Sequence, residues 1–226
     1  MAEFISNFIP NVIDKWSELW ISFGETLYMM AVSGVISFAL GLILGVTLTV
    51  TAHGRIMSNR FVYTVLDKLI NIFRSIPFII LLAALIPLTR LIVGKAIGTA
   101  GAMIPLIFGT VPFFSRQIES ALAEVDHGLI EAAQSMGLSP MKIIFRVYLR
   151  ESVPGIMRGT TITFISLVGL TAMAGAVGGG GLGDFAIRYG YNRNQVDITY
   201  ATVIILVAVV SLIQGFGNII IKKTTH

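Results

Sequence analysis

Hydrophobic residues in this 226-residue chain gather into runs too long for an ordinary globular core. Five stretches approach the roughly 20 mostly apolar residues a helix needs to cross a bilayer. They are Gly24 to Thr51, Leu66 to Leu88, Ile97 to Phe114, Gly159 to Val177 and Ile198 to Ile221. Charged and turn-forming residues cluster between them. The pattern predicts an all-α integral membrane protein with five transmembrane helices. Inside the first run, Gly41 and Gly45 have the small-xxx-small spacing that lets helices approach closely. In the second, Pro77 removes the backbone bond to the turn at Phe73 and predicts a kink.

The first 20 residues have a different texture. Phe4, Ile5, Phe8, Ile9, Val12, Ile13, Trp16, Leu19 and Trp20 recur at helical spacing among Glu3, Asp14, Lys15 and Glu18. That suits a helix lying in the membrane interface with its tryptophans at headgroup depth. An extension of the first span fits the same residues. A basic leader, as in a secretory signal, is missing from this stretch. The expected organisation is an interfacial segment, 1–20, and a transmembrane domain, 21–226, with one long hydrophilic loop at about 115–158.

Composition supports the membrane reading. Only 12% of residues are charged and the mean hydropathy is +0.84, against about 25% charged in soluble domains. Charge also orients the chain. Arg55, Arg60, Lys68, Arg74, Arg116, Lys142, Arg146, Arg150, Arg158, Lys222 and Lys223 fall on one side of the expected spans; Lys15, Arg90, Lys95, Arg188 and Arg193 fall on the other. The richer side is expected in the cytoplasm, which puts the N-terminus outside and the C-terminus inside. A formal charge of +4 is ordinary for such a protein and points to no nucleic acid. The chain has no cysteine, so neither a disulfide frame nor a thiolate metal site is available.

Candidate chemistry is narrow. None of the expected spans carries an ionisable residue at its middle, which counts against a proton-coupled carrier or a voltage sensor. No GxxxxGK[ST] occurs, so no ATP site is expected. The run Gly178 to Gly183 lacks a following Lys and reads as flexible backbone closing the fourth span. His53, His127 and His226 all fall in loops or termini, which argues against an intramembrane enzyme. Energy for active transport would have to enter from a cytoplasmic partner.

The long loop is organised. Asp126 is placed to cap a short helix through Ile130, Glu131, Ala132, Ala133 and Met136, which Gly137 would end in a left-handed C′ position. Ser139 and Pro140 start a second helix, with Met141, Ile144, Phe145 and Tyr148 on one face. Lys142, Arg146 and Arg150 form a basic stripe on another face, either a solvated or lipid-facing edge near anionic headgroups or a partner contact. In the fourth span, Ser166, Thr171 and Met173 stand beside Gly169 and Gly175. Small residues leave room there, hydroxyls suit a zwitterion, and a thioether can close an apolar gap.

Glu131-Ala132-Ala133-Gln134-Ser135-Met136-Gly137 resembles the EAA loop of ABC importer permeases. The following Pro154-Gly155 matches that family, while Arg150 stands where it usually has Pro. The segments Asn71 to Leu82, Ala172 to Gly178 and Gly181 to Tyr191 are similar to the methionine importer branch. The resemblance implies a type I ABC importer permease fold in a bacterial cytoplasmic (inner) membrane. It implies a second copy of the chain, two cytoplasmic ATPase subunits that bind ATP-Mg, and an extracytoplasmic substrate-binding lipoprotein. Under it Glu131, Ala132, Ala133 and Gly137 couple the ATPase to the spans, and Met173 gates the outer side. This chain would catalyse nothing and hold no cofactor. Another amino acid, a dipeptide or a small anion stays open as cargo, and a passive channel is the alternative of another class.

Overall fold

The computed structural model describes residues 9–224, and every regular element among them is helical. In chain order these are α1 (Pro10–Asp14), α2 (Trp16–Thr51), α3 (Arg60–Ser75), α4 (Phe78–Ala84), α5 (Ile86–Val93), α6 (Thr99–Ala123) and α7 (His127–Ser135). α8 (Pro140–Ile143) runs through a π-helical turn, Ile144–Tyr148, into α9 (Leu149–Glu151). α10 (Val153–Ala176) and α11 (Gly181–Phe185) follow; a second π-helical turn, Ala186–Tyr191, and α12 (Val196–Thr224) close the chain.

Among the described residues α2, α10 and α12 are long and apolar enough to cross a membrane. The expected second span is not one helix. It divides into α3, α4 and α5. The first break lies where Pro77 was expected to kink the chain: Ile76 turns extended, and Pro77 caps the next helix. The second break, at Leu85, had no signal beyond Pro87 and falls where the turn tightens, with Leu85 at ψ 0°. The expected third span starts two residues before α6 and otherwise lies within it; Pro105, Pro112 and Arg116 make this helix less apolar than the other long ones.

Of the N-terminal segment, residues 1–8 lie outside the described residues. Residues 16–20 continue into α2 without interruption, and α1 stands before them as a separate turn. Asn11 ties α1 down: its backbone N–H donates to Asp197 Oδ2 at 2.9 Å and its side-chain amide to Oδ1 at 3.0 Å.

The chain forms two compact units. The first holds the chain up to Val35, Pro77–Phe108 and Phe164–Ile213; the second holds Ile36–Ile76, Gly109–Thr163 and the chain from Gln214 onward. In the first, Val12, Leu19, Leu182, Phe185, Tyr189 and Ile198 form a buried cluster. In the second, α6 is the centre. Phe114, Ile118, Ala121 and Leu122 are buried among Val50, Ile156 and the loop residues Ile130, Ala133, Ile143, Ile144 and Tyr148. Glycines let two neighbours close on it. A Cβ at Gly41 would lie 2.7 Å from Phe114 Cδ1, and one at Gly45 2.5 Å from Ile118 Cβ. On α10, a Cβ at Gly155 would meet Ala121 at 2.9 Å and one at Gly159 would meet Gln117 at 2.8 Å. The spacing read from Gly41 and Gly45 is therefore a real helix contact.

Many threonine hydroxyls in the long helices are spent locally. Thr26, Thr47, Thr49, Thr51, Thr160, Thr161, Thr163 and Thr202 each donate to the carbonyl four residues earlier, at 2.7–3.1 Å. Such bonds satisfy the hydroxyl where water is scarce.

Candidate functional site

α7 has the architecture its sequence predicts. Asp126 accepts the Gly128 N–H at 2.8 Å through Oδ1, satisfying one of the free donors of the first turn. At the other end Gly137 has φ +74°. Its N–H donates to Gln134 O at 2.9 Å, and the Leu138 N–H reaches back to Ala133 O at 3.1 Å. These are the paired bonds of a Schellman ending, which a left-handed residue makes possible. A Cβ on Gly137 would meet nothing within 4 Å, so conformation and not space selects glycine there.

Burial divides α7 into two faces. Ile130 and Ala133 are buried against the core around α6. Leu129, Glu131, Ala132 and Met136 face outward, and Met136 is 73% exposed. Glu131 and His127, one turn apart, approach to 3.1 Å between Oε1 and Nδ1. The structure thus divides the four EAA residues. Ala133 seats the helix, Gly137 ends it, and Glu131 and Ala132 are exposed.

The helix after α7 departs from expectation. Met141 and Phe145 do not join Ile144 and Tyr148 in the core; they are 56% and 63% exposed. The reason is the π turn at Ile144–Tyr148, where the Leu149 N–H bonds Ile144 O, five residues back. The wider turn changes the register, so Ile143 enters the core and Phe145 leaves it.

The pathway candidates on α10 also divide. Ser166 is partly exposed, Gly169 is open, and Met173 is 43% exposed. Their spacing of three and four places them along one face of the helix. The Ser166 hydroxyl has no hydrogen-bond partner among the described residues. Thr171 lies away from that face, buried, with its hydroxyl donated to Val168 O at 2.7 Å. Gly175 belongs to the packing behind, where a Cβ would approach Asp184 N to 2.5 Å.

The glycine run after α10 is not the flexible closure its composition suggested. Gly178, Gly180 and Gly181 hold φ of +90°, +76° and +75° in one defined turn. Two side chains of α2 fasten it. The Gly181 N–H donates to Glu25 Oε2 at 2.7 Å, and the Leu182 N–H to Thr26 Oγ1 at 2.8 Å. The Gly98 N–H adds a bond to Gly178 O at 2.9 Å. In the sequence Glu25 stands at the start of the first expected span. Nothing local signals that it caps a turn 156 residues away.

Sequence reasoning also missed a polar cluster between α3 and α6. Arg116 bonds Glu119 Oε2 at 2.6 Å, Asn71 Oδ1 at 2.9 Å and, through Nη2, Asp67. Only the Glu119 pairing, three residues along one helix, was visible as a pattern. Asp67 and Asn71 are contributed across the packing, so Arg116 is a structural tie and not a free cytoplasmic charge.

Long apolar helices and a capped, outward-facing short helix fit the transmembrane component of a transport system, and the chain's relatives bear that out. Residues 37–226 match the binding-protein-dependent transport system inner membrane component family, and the chain belongs to that family. It is 48% identical over 202 residues to a probable D-methionine transport system permease protein of Vibrio cholerae, covering 89% of this chain and 90% of that one. A methionine import system permease protein of Bacillus subtilis is 43% identical over 213 residues, covering 94% and 95%. An inward-facing structure of the MetNI methionine ABC transporter superposes with a TM-score of 0.92 at 45% identity, over 94% of this chain and 99% of that one. An amino acid ABC transporter superposes at TM-score 0.79 and 15% identity, a likeness of fold alone.

Proposed function

We propose that this chain is the permease subunit of an ATP-driven importer of methionine in a bacterial inner membrane. The observation that carries the reading is α7, capped at Asp126 and Gly137, seated by Ile130 and Ala133, and offering Glu131 outward. The names of the relatives at 43% and 48% identity supply the cargo. In this reading α3–α5 together and α6 complete five crossings with α2, α10 and α12. The N-terminus is outside and residues 21–226 form the permease domain. Two copies of the chain enclose the pathway, two cytoplasmic ATPase subunits bind ATP-Mg, and an extracytoplasmic binding lipoprotein delivers substrate. This chain carries out no catalysis and needs no cofactor.

Closure of the ATPase pair drags α7 of each copy. The push enters the core through Ile130 and Ala133 and reaches α6 and α10. Along α10, Ser166 and Met173 line the passage with Gly169 between them, and Met173 closes its outer end. Thr171 supports that wall from behind.

The test is uptake of labelled methionine into proteoliposomes holding this chain with its ATPase and binding protein, beside Glu131→Lys at equal expression. ATP-dependent uptake that collapses in the variant supports cargo and coupling helix together. Uptake that persists without ATP overturns the importer in favour of a channel. ATP hydrolysis that responds to a different amino acid keeps the permease and discards methionine.

A further inference from the structure

The π turn that expels Phe145 from the core has a second effect. It leaves two lines on the outside of the segment Pro140 to Glu151. One is apolar: Met141 and Phe145 are exposed, Leu149 is half-buried with part of its side chain against the core, and Val153 continues the line at the start of α10. The other is basic: Lys142, Arg146 and Arg150 are all exposed, and none has an ion-pair partner among the described residues. The lines are neighbours, and each repeats every four residues across the π turn.

We infer that this segment is a binding site for the headgroups of anionic phospholipid. Position and chemistry both favour lipid over a protein partner. Only Glu151 and Ser152 separate Arg150 from α10, one of the helices able to cross the membrane. Three residues of helix rise about 5 Å, so Arg150 lies within about that distance along the chain of the first residue of that helix. A helix there with an apolar line beside a cationic one has the form of an interfacial helix. Its hydrocarbon side chains enter the acyl boundary, and its Lys and Arg reach headgroup phosphates. The outward face of α7 carries Glu131 and no Lys or Arg, so the two surfaces suit different partners. The opposite side of this segment, through Ile143, Ile144 and Tyr148, packs in the same core as Ile130 and Ala133 of α7. Lipid bound here would therefore fix the platform on which α7 rests.

The inference does not depend on the cargo or on which way the chain faces. Its test is titration of the delipidated full chain, alone and assembled with its ATPase, with phosphatidylglycerol or phosphatidylcholine, counting bound lipid by native mass spectrometry. Each cation near an anionic surface contributes roughly fivefold in affinity. The variant carrying Lys142→Gln, Arg146→Gln and Arg150→Gln is then expected to lose roughly 100-fold of the preference for phosphatidylglycerol. Lys142→Arg, Arg146→Lys and Arg150→Lys together are expected to retain it, as is Arg55→Gln with Arg60→Gln. Added salt is expected to weaken phosphatidylglycerol binding to the unsubstituted chain. An unchanged preference in the Gln variant overturns the site, as does salt-independent binding. Equal loss from the Arg55 and Arg60 variant makes the effect general charge and also overturns it. A preference that vanishes when the ATPase is bound assigns the surface to protein instead.

Discussion

Gly45→Ala tests the packing of α2 on α6 with a single methyl group. The added Cβ would stand 2.5 Å from Ile118 Cβ and 2.6 Å from the Ser115 carbonyl oxygen. Neither atom is the end of a flexible chain, so α2 and α6 must separate. Overpacking of this kind costs about 1–3 kcal/mol, and the short distances place Gly45 toward the upper end. Ala gains up to about 1 kcal/mol over Gly in helix propensity, which leaves a net loss of about 2 kcal/mol. Gly24 is the control. It lies in the same helix with nothing within 4 Å of its would-be Cβ. Gly24→Ala therefore keeps the propensity gain and is expected to be neutral or stabilising. The two variants should differ by about 2–3 kcal/mol in equilibrium unfolding, followed by circular dichroism as sodium dodecyl sulfate is titrated into neutral micelles. Equal midpoints for Gly45→Ala and Gly24→Ala would refute the close contact.

Three further outcomes are expected. Gly137→Ala places a side chain at φ +74°, at a local cost of about 1 kcal/mol; the ATPase should co-purify less well, and Gly137→Asn should restore part of the loss because Asn tolerates the left-handed region. Unchanged co-purification with Gly137→Ala would separate the Schellman ending from docking. Glu25→Ala removes the acceptor of the Gly181 N–H and should cost about 1–3 kcal/mol, seen as faster hydrogen exchange over 178–185, with Glu25→Gln intermediate; identical exchange in all three proteins would mean the turn holds itself. Met173→Ala should raise basal ATP hydrolysis relative to methionine uptake in the assembled complex, and a variant that leaves both rates unchanged removes Met173 from the gate.

Legibility in the sequence followed the range of the interaction. Asp126 and Gly137 act on their own helix, so the ends of α7 could be read from residue type and position. The Gly41 and Gly45 pair announced a close approach, though not that α6 would fill it. Pro77 broke the chain where expected, because a missing N–H acts locally. Phe145 could not be placed, because helical spacing assumes 3.6 residues per turn and a π turn breaks that assumption. The glycine run at 178–183 was misread for a different reason. Composition reports the freedom of a backbone, and the Glu25 and Thr26 acceptors that remove this freedom lie on α2. Arg116 was counted as a loop charge because Asp67 and Asn71 meet it only after α3 packs on α6. As pathway candidates the sequence offered Ser166, Thr171 and Met173 alike, and only the fold turns Thr171 away from the open face.

The length of α2 has a consequence for the membrane around it. Thirty-six residues make a helix about 54 Å long, while the hydrocarbon core is about 30 Å thick. Tilt alone would have to reach about 56° to hide the difference, and observed tilts end near 40°. At that limit the helix still projects about 41 Å along the bilayer normal, about 11 Å more than the core. Its ends must stand in the headgroup layers or beyond. Trp16 and Trp20, half exposed and edge to face at 5.7 Å, occupy one of those ends, where an indole anchors depth well. A thinner bilayer enlarges this mismatch and a thicker one relieves it, so bilayer thickness should set the inclination of α2.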